Sequence, residues 1–275
     1  MHVETRDLQL ELLKIMKVFH QICEENGLKY YMLGGTCLGA IRHKGFIPWD
    51  DDMDVGMPRK DYDLFCRKAT ELLPENLELK YYRTDKNSPF HFAKLINSNT
   101  TLIEPKYHDY VEGIYIDVFP LDNLVKYNLS NKLRCHKIWF KHACIMNHCS
   151  TENKAGIVRK AFLRYSKMRN LDRLHTSLEK LMVKESNMKT AYLCNFLGAW
   201  KEREIIPADI FEQPVLYTFE NCEFYGPKDT NAYLTSLYGD YMKLPPKEQQ
   251  VNRHDYYYVS LEKSYKDYKG VDNIK

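Results

Sequence analysis

Apolar residues recur at spacings of four and three from Leu8 through Leu12, Ile15, Phe19 and Ile22, which predicts an amphipathic helix over residues 6–26 closed by Asn26-Gly27. Residues 28–33 read as a buried strand running into Gly34-Gly35-Thr36, and a short helix follows to about His43. Residues 52–57 alternate as a strand. Pro58 opens a helix with Tyr62, Phe65, Ala69 and Leu72 on one face. Residues 77–82, 90–96 and 113–119 read as further strands. Such alternation of strands and helices makes the first half α/β (α+β). Residues 129–195 read as helical with a break at Gly156. The remainder is irregular, punctuated by Pro207, Pro214, Pro227 and Pro245-Pro246, with one helix near 230–237. This divides the chain into a core (1–125), a helical segment (126–195) and a C-terminal region packing on the core (196–275), together one compact unit.

Composition alters this picture in three places. Of 275 residues 44% are hydrophobic, enough for a sizeable core. The net charge is only +3, yet residues 126–190 hold 15 Lys and Arg against 4 Asp and Glu. So basic a segment is expected to meet an anionic surface. Its interleaved Leu133, Trp139, Phe140, Phe162 and Tyr165 make peripheral membrane contact one expectation and a solvated face the other. The N-terminus lacks a basic-then-apolar signal pattern, no run approaches 18 apolar residues, and the eight cysteines form no C-x-x-C pair. Those features predict a cytoplasmic chain with reduced thiols. The Cys135–Cys149 stretch is rich in Cys and His, but it lacks paired thiol spacing and reads as a helix rather than a zinc site.

Two segments carry candidate chemistry. Gly34-Gly35-Thr36 ends a strand and opens a helix, a place where backbone N–H groups can cradle phosphate. In Asp50-Asp51-Asp52-Met53-Asp54-Val55, alternation sets Asp52 and Asp54 on one face and packs Met53 and Val55 on the other. Adjacent carboxylates repel unless a cation separates them, and hard oxygen ligands select Mg²⁺ or Mn²⁺. A calcium loop is excluded because its sixth position, a sharp turn needing Gly, holds Val55. Asp117, in the apolar run Ile114–Pro120, supplies a third carboxylate, whereas Asp122 beyond Pro120 reads as a turn or cap.

A Gly-Gly-Thr turn, a two-Asp strand and a later Asp strand resemble the catalytic pattern of the nucleotidyltransferase superfamily. The stretch from Gly35 to Val55, with Tyr115–Asp122, Tyr238-Gly239-Asp240 and Arg253-His254, resembles the LicD family of bacterial phosphocholine transferases, related to fukutin and fukutin-related protein. The resemblance reaches nearly the whole chain except its basic middle. It implies a nucleotidyltransferase-type mixed sheet. The implied reaction is transfer of a phosphoalkyl group from a CDP-linked donor such as CDP-choline to a hydroxyl of a glycan or lipid-linked glycan, releasing CMP, with no nucleic acid involved. Under it Asp52, Asp54 and Asp117 are catalytic metal ligands and Asp117 the base. Gly34, Gly35 and Thr36 line the donor phosphates. Arg42, His43 and Lys94 lie near the diphosphate, Arg42 and Lys94 having a salt bridge to the Asp cluster as the alternative. Trp49, with Tyr30, Tyr31, Tyr81 or Tyr82, is placed to frame a quaternary ammonium, and Arg253 and His254 match the family's terminal pair. Nucleotidyl transfer from an NTP and a non-catalytic glycan- or membrane-binding module remain the alternatives.

Overall fold

The computed structural model describes residues 3–107, 109–151, 156–252 and 254–269. Helix α1 (Thr5–Asn26) buries the expected stripe of Leu8, Leu12, Ile15, Phe19 and Ile22, and Gly27 ends it in the left-handed conformation that glycine adopts without strain. Strand β1 is only Tyr31–Met32. Helix α2 (Gly34–Arg42) begins two residues earlier than its sequence suggests, so both glycines belong to its first turn. Strand β2 (Asp54–Pro58) starts at Asp54, not Asp52, and leads into α3 (Arg59–Leu72). Then come β3 (Leu77–Lys80), β4 (Ala93–Asn97), β5 (Thr101–Ile103) and β6 (Tyr115–Leu124).

The main sheet runs β1-β2-β6-β4-β3. Its β2–β6 pair is parallel and its other pairs are antiparallel, so the fold is a mixed α/β one. Alternation along β6 buries Ile116 and Val118 in the core packed by α1 and α3, and turns Tyr115, Asp117 and Phe119 the other way.

The basic middle is three helices, α4 (Leu129–Cys149), α5 (Ile157–Lys167) and α6 (Leu171–Met182). It is not helical to residue 195: β7 (Tyr192–Cys194) pairs with the end of β6 and β8 (Ile205–Pro207) with β7. The C-terminal region is more regular than its prolines suggest. Beyond the short α7 (Ala208–Phe211) it forms a hairpin of β9 (Val215–Phe219) and β10 (Cys222–Gly226), then α8 (Thr230–Tyr238), and β11 (Tyr258–Ser260) pairs with β5.

Asp122 corrects the turn reading. It lies in β6, fully buried, and accepts two 2.7 Å bonds from Arg59, which also meets Glu179 of α6 at 3.2 Å. This bidentate pair ties α3, β6 and the helical segment together, the arrangement a buried charge needs. The eight cysteines are free thiols, five of them buried. Among the described residues no helix is long and apolar enough to cross a membrane.

Candidate active site

Register sets the heart of the site. Asp117 is the pairing partner of Asp54 on one side and of Lys94 on the other, and paired residues share a face. Asp54, Asp117 and Lys94 thus form a row across three adjacent strands, lining a cavity of about 1210 Å³. Asp52, in the extended loop before β2, faces the same cavity, while Met53 and Val55 are buried opposite as alternation requires. The Asp117 N–H donates to the Met53 carbonyl at 2.9 Å, holding this loop to β6.

The N-terminus of α2 closes against these carboxylates. A Cβ on Gly35 would stand 2.7 Å from Asp50 Oδ2 and 4.0 Å from Asp52 Oδ1, and one on Gly34 would stand 3.4 Å from Asp54 Oδ2. A side chain at Gly35 would push Asp50 aside, and Gly34 takes a φ of +47° that favours glycine. Thr36 takes another part than the phosphate contact expected of it. It is buried away from the cavity, and its Oγ1 accepts the Asp54 N–H at 2.8 Å, bracing the start of β2. The Gly34 N–H is also engaged, donating to the Tyr233 hydroxyl at 3.0 Å.

Burial first, and charge repulsion after it, sets the electrostatics. Burial, then the charges of Asp52, Asp117 and Asp50, holds the Asp54 carboxyl well above its ordinary range. Burial pushes Asp117 up to about 8 against the pull of Lys94. Asp117 Oδ1 is buried with no hydrogen-bond partner. Among the described residues no three carboxylate, imidazole or thiol groups form a ready-made metal cage. The cluster is therefore a set of facing carboxylates rather than a closed ligand cage. The hard oxygen donors, their mutual repulsion and the orphaned Asp117 oxygen nevertheless fit a divalent cation of the Mg²⁺ or Mn²⁺ type.

The other expected residues divide. Arg42 lines the cavity, but its guanidinium is held by the Tyr241 carbonyl (2.8 Å) and His43 Nε2 (2.9 Å) instead of the Asp cluster. His43 lies outside the cavity lining, edge-on to Trp49, which lines it. Lys94 faces the cavity, but its ammonium is bonded to Glu112 (2.7 Å) and Glu104 (3.1 Å), leaving no free charge for a phosphate. Tyr30, Tyr31 and Tyr81 are core residues, and Tyr82 stacks over the hydrogen-bonded pair His91 and His175, so none of them joins Trp49 at the cavity. Arg253 lies outside the described residues.

His254 does reach the site. Its Nδ1 meets Asp51 at 2.7 Å and its Nε2 lies 3.9 Å from Asp52 Oδ2, and the bond to Asp51 raises the imidazolium to about 9. Asp51 also accepts from Asn252 (2.6 Å) and Tyr256 (2.9 Å), and despite burial these bonds keep its carboxyl below the usual range. The C-terminal segment is thus clamped onto the Asp loop. Glu204, Glu104 and Tyr256 line the cavity too, and sequence reasoning missed them. Nothing local marks Glu204. It is the last residue of a 3₁₀ turn (Lys201–Glu204) and enters the site only because β8 joins the sheet.

The profile of the family described as "LicD/FKTN/FKRP, nucleotidyltransferase domain" matches residues 27–152, which contain the whole Asp row. Across 260 residues the chain is 31% identical to "Lipopolysaccharide cholinephosphotransferase LicD" of Haemophilus influenzae, covering 90% of this chain and 95% of that protein. The chain belongs to the LicD family. Within LicD-related proteins it is also similar to human "Ribitol 5-phosphate transferase FKRP", 45% identical over 40 residues, which are 14% of this chain and 8% of that protein. An uncharacterized Rickettsia typhi protein is 40% identical over 72 residues, 26% of this chain and 22% of its own.

Proposed function

We propose that this LicD-family chain, an enzyme that transfers phosphate-containing groups, moves phosphocholine or a similar phosphoalkyl group from a CDP-linked donor to a hydroxyl of a cell-surface glycan. The observation that carries the proposal is the placement of Asp52, Asp54 and Asp117 on one wall of a cavity of about 1210 Å³. Ligand pockets for one small molecule typically span about 300–1,000 Å³, so this one has room for a donor and part of an acceptor.

Chemically, the acceptor oxygen bonds to the phosphorus bearing the alkyl group as that phosphorus loses its bridging oxygen. CMP leaves with the bridging oxygen, and the hydroxyl proton passes to Asp117, whose Oδ1 has no hydrogen-bond partner. Asp52, Asp54 and Asp117 are the proposed holders of a Mg²⁺ or Mn²⁺ ion, which when bound neutralises phosphate charge and polarises the phosphoryl oxygens. Arg42 and the His254 imidazolium supply positive charge at the cavity wall. Gly34 and Gly35 keep the approach to the carboxylates open.

A cytoplasmic location at the inner membrane face is part of the proposal. Residues 126–190 support it, because Leu133, Phe140, Ile157 and Val158 are exposed among Lys and Arg side chains.

The test is nucleotide release with Mg²⁺ or Mn²⁺ from CDP-choline, CDP-ethanolamine, CDP-glycerol, CDP-ribitol and CTP, offered separately. The expected result is CMP from a CDP conjugate, abolished in the Asp52→Ala/Asp54→Ala variant. Pyrophosphate from CTP, or no nucleotide from any donor, would overturn the proposal.

A further inference from the structure

We infer that Glu204, with Trp200 and Tyr238, forms a binding site for a cationic alkylammonium group at the edge of the carboxylate cavity; assigning that group to the donor's head rests on the phosphoalkyl-transfer reading above. The starting point is an unbalanced charge. Glu204 is only 6% exposed and lines the cavity, yet among the described residues no basic side chain forms an ion pair with it. Outside the Asp52, Asp54 and Asp117 cluster, the other buried Glu and Asp side chains of this half of the molecule are better supplied. Glu112 and Glu104 share Lys94, Asp51 has His254, and Asp122 has Arg59. An anion buried without a countercharge is costly, and a cationic ligand is the natural partner that removes the cost.

The chain shapes itself around this carboxylate. Glu204 Oε1 accepts the Trp200 N–H at 2.8 Å, and a Cβ on Gly198 would fall 2.1 Å from both carboxylate oxygens. Only a residue without a side chain admits the carboxylate there. Arg203, its chain neighbour, makes no ion pair with it; Nη1 is on the Leu237 carbonyl at 3.0 Å and the guanidinium lies over one face of the Trp200 ring, 5.4 Å from its centroid. Burial raises the Glu204 carboxyl to about 7, the direction expected of an anion lacking its partner.

Aromatic rings complete the site. Trp200 and Tyr238 meet edge to face, with centroids 5.2 Å apart, and both line the cavity. Such rings favour a large, weakly hydrated cation over a compact ammonium that demands hydrogen-bond acceptors. Tyr238 also connects this corner to the reacting centre. A Cβ on Gly34 would lie 3.7 Å from the Tyr238 hydroxyl and 3.4 Å from Asp54 Oδ2. A donor phosphate near Asp54 can therefore carry an alkylammonium toward Glu204 on a short linker.

The test compares choline with 3,3-dimethylbutanol, which has the same shape without the charge, by NMR titration of the full chain. Wild type is expected to bind choline at least tenfold more tightly than the alcohol. Glu204→Gln, which keeps the hydrogen-bonding shape, should reduce that ratio at least tenfold. Trp200→Ala, at a ring 42% exposed and so outside the core, should weaken choline without unfolding the protein and gives the same information if Glu204→Gln is unstable. Equal affinity for the two probes, no choline binding, or a preference unchanged in both variants would overturn the site. CMP release from CDP-choline is followed alongside. Its absence, with the choline preference intact, would overturn the transfer reading and leave the cation site standing.

Discussion

Replacing Asp51 with asparagine is expected to loosen the C-terminal clamp while leaving the rest of the fold in place. Asp51 accepts bonds of 2.6, 2.7 and 2.9 Å from Asn252, His254 and Tyr256. Asparagine keeps the volume and one acceptor oxygen, removes the charge, and presents an amide donor to groups that also donate. Hydrogen bonds to charged groups contribute about 1.5–3 kcal/mol each. The His254 side chain is 45% exposed, so solvent screening holds its share near ~1 kcal/mol. The net loss is then about 2–4 kcal/mol for local opening, which raises the open population roughly 30- to 1,000-fold. Amide exchange of β11, which the clamped segment leads into, should accelerate accordingly while α1 and β6 keep their protection. Wild type should show the same loosening with pH. Folded His254 holds its proton up to about 9 against an ordinary value of 6.5, so its contribution is complete below about 6.5 and fades as pH rises through about 9. After correction for intrinsic exchange chemistry, β11 should open more at pH 9.5 than at 7 in wild type, and the variant should be flatter. Equal β11 exchange in the two proteins, or acceleration everywhere in parallel, would refute the clamp.

Asp54→Asn removes one of several repelling carboxylates. The metal-free protein should be stabilised by about 1–2 kcal/mol, roughly 2–8 °C in Tm, while the Tm rise on adding MgCl₂ disappears; a lower Tm without metal would count against the repulsion. Asp122→Ala strips Arg59 of its bidentate partner and should cost about 3–5 kcal/mol in denaturant melts, and a loss under 1 kcal/mol would mean that Glu179 alone suffices. Gly39→Ala would set a Cβ 2.4 Å from the Gly45 carbonyl oxygen, forcing α2 off its loop. A loss of about 1–3 kcal/mol is expected, with reduced CMP release, and an unchanged Tm would contradict the packing. In vesicle flotation, Phe140→Glu with Ile157→Glu should lower binding to anionic but not neutral lipid; wild type indifferent to lipid charge would remove the membrane reading.

The first half of the chain was legible because its elements carry strong periodic signals. The apolar stripe of α1 and the Asp–Met–Asp–Val alternation each point one set of side chains inward, and both survive in the structure. The start of β2 was misplaced because side-chain alternation extends beyond ladder pairing. Asp52 alternates like a strand residue, but β6 pairs from Asp54 onward. Asp122 was misread because proline rarely continues a strand. β4 stops pairing at Val118 and β7 starts at Asp122, so Pro120 pairs with Met57 of β2 and with neither of these strands. The β9–β10 hairpin was hidden because β9 is mostly exposed and its turn takes positive φ at Glu220 rather than at a glycine. Thr36 and Lys94 were chemically plausible phosphate ligands. Only the folded contacts show the hydroxyl spent on the Asp54 amide and the ammonium on two glutamates.

The position of β6 in the sheet has a consequence for synthesis. The strand that carries Asp117 is made after β1 to β4, yet it lies between β2 and β4. Until residue 121 has emerged, β2 and β4 each present an open edge with no partner, a surface on which other nascent chains can pair. The same insertion brings Asp117 beside Asp54, 63 positions earlier in the chain. Closing the sheet and assembling the row of carboxylates are therefore one event, and a ribosome stalled before β6 releases a product that is both inactive and prone to aggregate.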